Sequence, residues 1–350
     1  MIEQTGLIAS LARKSRLKEK NMALLLDRNT IQSLLDMDKM IEILEQAFGE
    51  LASGSAVMPP RTAVVDAEFN GWYAFMPAQL KSMGALGVKA VTVYKDNASK
   101  HNLPVTLATI IMLDGETGQA TAVMDGGYIT AMRTGAVSGL ATKHLARSDS
   151  KIAGVLGTGV QAKAQLWGMA VAASLDRLRV FSMDPVDVQK AFADEVAELT
   201  GLPVDLASST QELVESVDIL STATTAITPI IDGDWVRPGT HINGIGSHAP
   251  GVRELDTKTV VKSKLVCDQK EACLAEAGDI QIPIEEGALN PDDIYGDLGD
   301  VVAGNIPGRE NKGEITLFKS VGLSVQDISA AYYVYQRALE QGAGTDFSFS

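Results

Sequence analysis

The sequence holds two cysteines, Cys267 and Cys273, among 350 residues. Two thiols make no disulfide framework and point to a reducing compartment, so the cytoplasm is the expected location. Histidine is scarce as well: four residues, scattered, with no zinc-ligand spacing, so no metal site is expected. Basic residues are in deficit. Lys and Arg number 30 against 44 Asp and Glu, a formal charge of −14, which is the wrong sign for a nucleic-acid partner. Long apolar runs are missing too. The best candidate, Leu103 to Leu113, falls short of the roughly 20 residues that span a bilayer, so no membrane partner is expected. Residues 1–23 read as a poorly ordered extension with five basic residues between Arg13 and Lys20. They carry neither the long apolar stretch nor the cleavage site of a secretory signal, and Met22 is an alternative natural start.

What remains is ordinary globular composition, 45% hydrophobic and 21% charged, in a length that suits about two domains. The region from residue 24 opens with apolar residues at helical spacing, Ile31, Leu34, Leu35, Met40, Ile41, Leu44 and Phe48. Strand-like runs follow at Arg61 to Val65, Gly71 to Met76, Gly87 to Tyr94 and Val105 to Leu113, then a hairpin turn into Gln119 to Met124. This part reads as α+β with an antiparallel or mixed sheet. After Ile129 the character changes. A helix rich in small residues, Thr130 to Leu145, leads into alternating strands and helices: strand Lys151 to Leu156, helix Gln161 to Ala173, strand Leu178 to Ser182, helix Val186 to Leu199. Further strands are expected at Val204 to Ala207, Ile219 to Thr222, His241 to Ile245 and Lys264 to Cys267. Such alternation predicts an α/β fold, a Rossmann-type doubly wound parallel sheet over residues 139–321. The second, α+β domain takes residues 24–138 plus 322–350, because the helical pattern from Val325 to Glu340 returns to it.

The sharpest motif is Gly157-Thr158-Gly159-Val160-Gln161-Ala162. It fits G-x-G-x-x-G/A, follows an apolar strand and opens a helix. The first Gly permits the turn, the second lets a pyrophosphate approach the backbone, and the small third residue lets helix and strand pack. All six are candidate cofactor-binding residues. At the end of the next strand stand Ser182 and Asp184, where an acid would meet the ribose 2′-hydroxyl of NAD. No Arg sits beside them for a 2′-phosphate, so the expected cofactor is NAD, with NADP the alternative. Asp184 could equally cap the helix that follows.

Several segments together carry a family resemblance: Met58-Pro-Pro-Arg61, Gly87-Val-Lys89, Met124-Asp125 through Thr130, Arg133, Thr134 and Ala136, the glycine loop, Gly246-Ser-His248 through Glu254 and Asp256, Ala277-Gly-Asp279, and Gly322 through Gln326-Asp327. The chain resembles the ornithine cyclodeaminase/mu-crystallin family, which includes archaeal-type alanine dehydrogenases and cyclic-ketimine reductases. The resemblance implies a Rossmann domain, a second domain that binds substrate and makes a dimer interface, and a homodimer. It implies that Arg61, Lys89 and Arg133 face a small amino or imino acid, that Thr134, with Thr130 and Asp125, contacts the cofactor or fixes the domain junction, and that Lys89 and His248 are the catalytic candidates. Chemistry agrees: Arg forks bind carboxylates, and a partly buried Lys can move a proton.

His248 departs from the pattern. Family members that cyclise ornithine, and the archaeal-type alanine dehydrogenase, resemble Gly-x-Asp here. The change weakens a cyclodeaminase reading most and simple imine reduction least. The expected activity is therefore NAD(P)-dependent oxidoreduction at the C–N bond of a small amino or imino acid, either like alanine dehydrogenase or like a reductase of a cyclic ketimine such as pyrroline-2-carboxylate. The alternatives are ornithine cyclodeaminase with recycled NAD, and a nucleotide- and ligand-binding protein without turnover.

Overall fold

The computed structural model describes residues 12–18, 21–247 and 249–349. They divide into two compact units, Met1–Arg133 with Leu323–Ser350, and Thr134–Gly322. In the first unit a short helix α1 (12–18) precedes strand β1 (Met22–Leu26), helices α2 (Arg28–Leu34) and α3 (Met37–Ala52), and strands β2 (Ala56–Val57), β3 (Thr62–Asp66), β4 (Gly71–Leu80), β5 (Ala85–Tyr94), β6 (Thr106–Leu113) and β7 (Ala120–Asp125). Asp27 and Asp36 cap α2 and α3 by accepting backbone N–H groups of their first turns. Helix α3 buries Met37, Met40, Ile41, Leu44, Ala47 and Phe48, one stripe at helical spacing. Helix α4 (Gly126–Leu145) starts at Asp125, whose carboxylate accepts the Tyr128 N–H.

The second unit runs β8 (Ile152–Leu156), α5 (Val160–Ala172), β9 (Arg177–Phe181), α6 (Val186–Thr200), β10 (Val204–Leu206), α7 (Thr210–Ser216), β11 (Ile219–Thr222), β12 (His241–Gly244), α8 (Thr257–Val261), β13 (Lys264–Cys267), α9 (Lys270–Glu276), α10 (Gly278–Glu285), β14 (Gly296–Asp297), α11 (Leu298–Ala303) and β15 (Thr316–Lys319). Its sheet is parallel throughout, in the order β10-β9-β8-β11-β12-β15-β13-β14. Both faces are covered. Ala153, Val155, Leu178, Val180 and Ile219 pack into one apolar layer with α5 and α6, and Leu156, Leu220, Ile242 and Leu317 into the other. From β8 the chain runs outward through β9 and β10, then crosses to β11 on the other side. The switch point thus lies between β8 and β11, where doubly wound sheets bind ligands at their carboxyl ends.

The chain then returns to the first unit with α12 (Ser324–Gln341) and β16 (Thr345–Ser348). The first unit's sheet is ordered β16-β1-β7-β6-β5-β4-β2, with β3 also on β4. Among the described residues only β1 and β7 pair in parallel there; the remaining pairs are antiparallel.

Two differences from the sequence reading have physical causes. Part of the expected extension is ordered. Leu17 is buried, and Arg13 donates to the carbonyls of Ala338 and Ala343 at the end of α12 and to Asp346. Met22 and Ala23 belong to β1, which sits between β16 and β7. The division between units falls within α4, at Arg133 and Thr134, rather than after Ser138. From Gly135 onward that helix lies against α5 so closely that a Cβ on Gly135 or on Gly168 would strike the facing backbone. On the return the boundary falls after Gly322 rather than before it.

Candidate active site

The second unit carries the glycine loop. Gly157 has φ +113°, and a Cβ there would meet the Ala223 carbonyl at 3.0 Å; this turn needs glycine. Gly159 differs. Its φ is −82°, any residue could adopt it, and a Cβ would find nothing within 4 Å. The space before the first turn of α5 is open, and no side chain caps that turn, so its N–H groups are available to an anion. Val160, the first residue of the helix, is exposed, while Ala162 is fully buried against the sheet. The side-chain oxygen of Gln161 is buried without a hydrogen-bond partner among the described residues. A glycine turn, an uncapped helix end and open space together fit a dinucleotide diphosphate.

Beside the loop, Thr158 donates from its hydroxyl to the Asp184 carboxylate, as does Ser182 at 2.9 Å. These bonds hold the Asp184 carboxyl below its ordinary range. Asp184 does not cap α6, whose N-cap is Pro185. It stands as an ionised acid at the end of the second strand of the sheet, where a ribose diol binds. Thr134 is buried and its carbonyl accepts from Gln165 of α5 at 3.0 Å, which ties the start of the second unit to the helix behind the loop.

Across the switch point, Glu254 is enclosed and burial raises its carboxyl. It accepts from the Thr224 N–H and hydroxyl at 2.7 and 2.6 Å and from the Gly246 N–H at 2.8 Å, so it binds together the loops that follow β11 and β12. Its own N–H donates to Asp279, which pairs with the fully buried Lys319 at 2.8 Å. Glu254 and Asp279 stood in the recognised motifs without a role; the structure makes them the frame of these two loops. His248 lies outside the described residues.

The first unit carries the cations. The antiparallel register puts Lys89 of β5 opposite Met76 and Ile110, and the buried face of β5 runs Ala85, Gly87, Lys89, Val91. A lysine therefore stands where the alternation demands an apolar side chain. Helix α12 covers this face: a Cβ on Gly87 would lie 3.2 Å from Ile328. One turn of α12 supplies the partners. Asp327 lies 2.6 Å from the Lys89 amine and accepts from Arg133 Nε at 2.9 Å. Gln326 accepts from Arg133 Nη1 at 2.5 Å. Burial pulls the Lys89 amine down to about 8; Asp327 resists this, and the nearby Arg133 and Arg61 charges add to it. Burial opposes ionisation of Asp327, but Arg133 and Lys89 outweigh it and its carboxyl is lowered. The structure thus brings Arg61, Lys89 and Arg133 into one electrostatic cluster. Asp327 is the member whose role the sequence did not reveal; its motif was visible, its partners were not.

The model of the ornithine cyclodeaminase/mu-crystallin family matches residues 20–342. This chain belongs to the ornithine cyclodeaminase/mu-crystallin family. Among family relatives, the Δ1-pyrroline-2-carboxylate reductase of Bacillus cereus is 37% identical over 328 residues, 93% of this chain and all of that protein. The structure of Thermococcus litoralis Δ1-pyrroline-2-carboxylate reductase in complex with NADH and L-proline is 46% identical with TM-score 0.89, covering 92% of this chain and 99% of that one. An archaeal alanine dehydrogenase dimer with bound NAD is 34% identical with TM-score 0.87, covering 94% and 100%. The fold class and the family expected from the sequence are both met.

Proposed function

We propose that this family member is an NADH-dependent imino-acid reductase whose substrate class is that of Δ1-pyrroline-2-carboxylate. It is an oxidoreductase of the C–N bond of small amino and imino acids, the chemistry its relatives share. The observation that carries the reading is the buried Lys89 amine, drawn down to about 8 beside two guanidinium groups. Arg61 and Arg133 would hold the substrate carboxylate, Arg133 through its planar fork. Lys89 would give its proton to the imine nitrogen, and an amine balanced near 8 can do so in the neutral range. The bound dinucleotide supplies the hydride. The residues fitted to hold it are Gly157 to Ala162, Ser182 and Asp184. His248 is kept as a candidate assistant in proton transfer.

The test is absorbance at the reduced-nicotinamide band. NADH should be consumed with Δ1-pyrroline-2-carboxylate and proline should form, faster than with pyruvate plus ammonium. Ornithine plus NAD should release no ammonia. No NADH oxidation with either imine source would overturn the reading. NADPH should bind at least about 10-fold more weakly than NADH, because the Asp184 carboxylate repels a 2′-phosphate. Asp184→Ser should narrow that gap in a fluorescence titration.

A homodimer is the assembly this reading expects, given the alanine dehydrogenase dimer among its relatives. The first unit exposes Val64 and Phe75 on one face of β3 and β4, an apolar patch suited to a second copy. Sedimentation should find a dimer, and Val64→Asp should shift it toward monomer.

A further inference from the structure

Asp327 has been given neither the proton nor the carboxylate, yet it is fully enclosed, and each of its oxygens lies on a different cation of the cluster. We propose that Asp327 is the positioning residue of the site: one carboxylate holds the Lys89 amine as ammonium and fixes the plane of the Arg133 guanidinium, so proton donor and carboxylate clamp are set by a single side chain. The inference rests on the reductase reading above and deepens it.

Four observations carry it. The Lys89 amine and Arg133 Nε sit at 2.6 and 2.9 Å from the two oxygens, a bridging arrangement that fixes both groups at once. The adjacent Gln326 takes Arg133 Nη1, so the guanidinium is gripped at two of its nitrogens by successive residues of one helical turn. Asp327 lies in the first turn of α12, where the helix dipole favours a negative charge. The amide nitrogen of Gln326 is buried and has no hydrogen-bond partner among the described residues. The same turn therefore presents an unused donor within the cluster, which a bound carboxylate would satisfy.

The charged groups acting on Lys89 are Asp327 from α12, Arg133 from α4 and Arg61 from the segment before β3. Its cross-strand neighbours on β4 and β6 are Met76 and Ile110. Burial and both arginines favour the neutral amine; Asp327 alone of the three charged groups favours ammonium. If the carboxylate merely balanced charge for folding, its loss would lower activity equally at every pH. If it keeps Lys89 charged, its loss moves the pH at which the donor fails.

The experiment is the pH profile of kcat/KM for NADH-dependent reduction of Δ1-pyrroline-2-carboxylate in the wild type, Asp327→Asn, Asp327→Ser and Asp327→Glu. Circular dichroism and a thermal melt of the whole chain report that each variant is folded. The alkaline limb should fall by about one pH unit or more in the two neutral variants and stay near the wild-type position in Asp327→Glu. Binding of pyrrole-2-carboxylate, read by calorimetry without turnover, should weaken about 10-fold in Asp327→Asn as Arg133 loses its aim. A uniform loss with an unmoved limb overturns the proposal. So does failure of both neutral variants to fold while Asp327→Glu folds, since that assigns the residue to the fold alone. Absence of NADH oxidation by the wild type with Δ1-pyrroline-2-carboxylate would instead overturn the reductase reading on which the proposal rests.

Discussion

Lys89→Ala should lower kcat/KM for imine reduction by about 1,000-fold while leaving the Kd for NADH unchanged. The size follows from the role. A general acid held at the reacting nitrogen is worth about 100- to 10,000-fold, and nothing else in the cluster can replace it, because Arg does not release its proton at any working pH. The wild-type profile should carry the same signature. The donor must be protonated, and its pKa in the free enzyme is about 8. Reduction should hold steady below that pH and fall about tenfold per unit above it, as expected for an acid that must be charged. Lys89→Arg keeps the charge but not the transferable proton, so it should stay nearly as inactive as Lys89→Ala. Retention of more than a tenth of wild-type turnover in Lys89→Ala would remove the residue from the mechanism.

Gly159→Val should weaken NADH binding by about 100-fold or more while leaving thermal stability intact. The contrast with Gly157 makes this sharp. At Gly157 a side chain would be strained by the backbone and would meet the Ala223 carbonyl, so lost binding there could reflect a damaged fold. At Gly159 the backbone is ordinary and a Cβ meets nothing. The protein alone has no reason to exclude a side chain from that position. Only a group arriving in front of the helix would, and the proposed site puts the diphosphate there. Titration of NADH fluorescence alongside a thermal melt checks both halves. An unchanged Kd would reject the loop as the binding site, whatever happens to activity.

The second unit was legible because its strands and helices alternate and because the glycine loop sits where strand meets helix. One central strand escaped. Thr316–Lys319 ends in a lysine, which interrupts the apolar run that marks a strand buried on both faces. Lys319 is in fact fully buried, paired with Asp279, a partner no local pattern reveals. Strand β1 was hidden for a similar reason: Met22–Leu26 abuts a basic run, and its partners β7 and β16 lie far along the chain. Arg61, Lys89 and Arg133 came from the resemblance. Lys89 could also have been found from parity alone, since it shares the inward register of Gly87 and Val91. Asp327 could not. It lies on a helix buried nearly all round over its first two turns, so amphipathicity gives its position no mark, and its meaning comes from a contact with a strand more than two hundred residues earlier.

The second unit is one uninterrupted stretch of chain, whereas the first is split, and its last helix and last strand follow the second unit in sequence. On the ribosome the second unit can therefore be made in full while the first still lacks α12 and β16. Until that helix emerges, Lys89 and Arg133 have no Asp327 to meet, and two cations destined for the interior must remain in water. The carboxylate that organises the site thus follows the whole of the second unit in the chain, so the cluster around Lys89 closes only after that unit has been made.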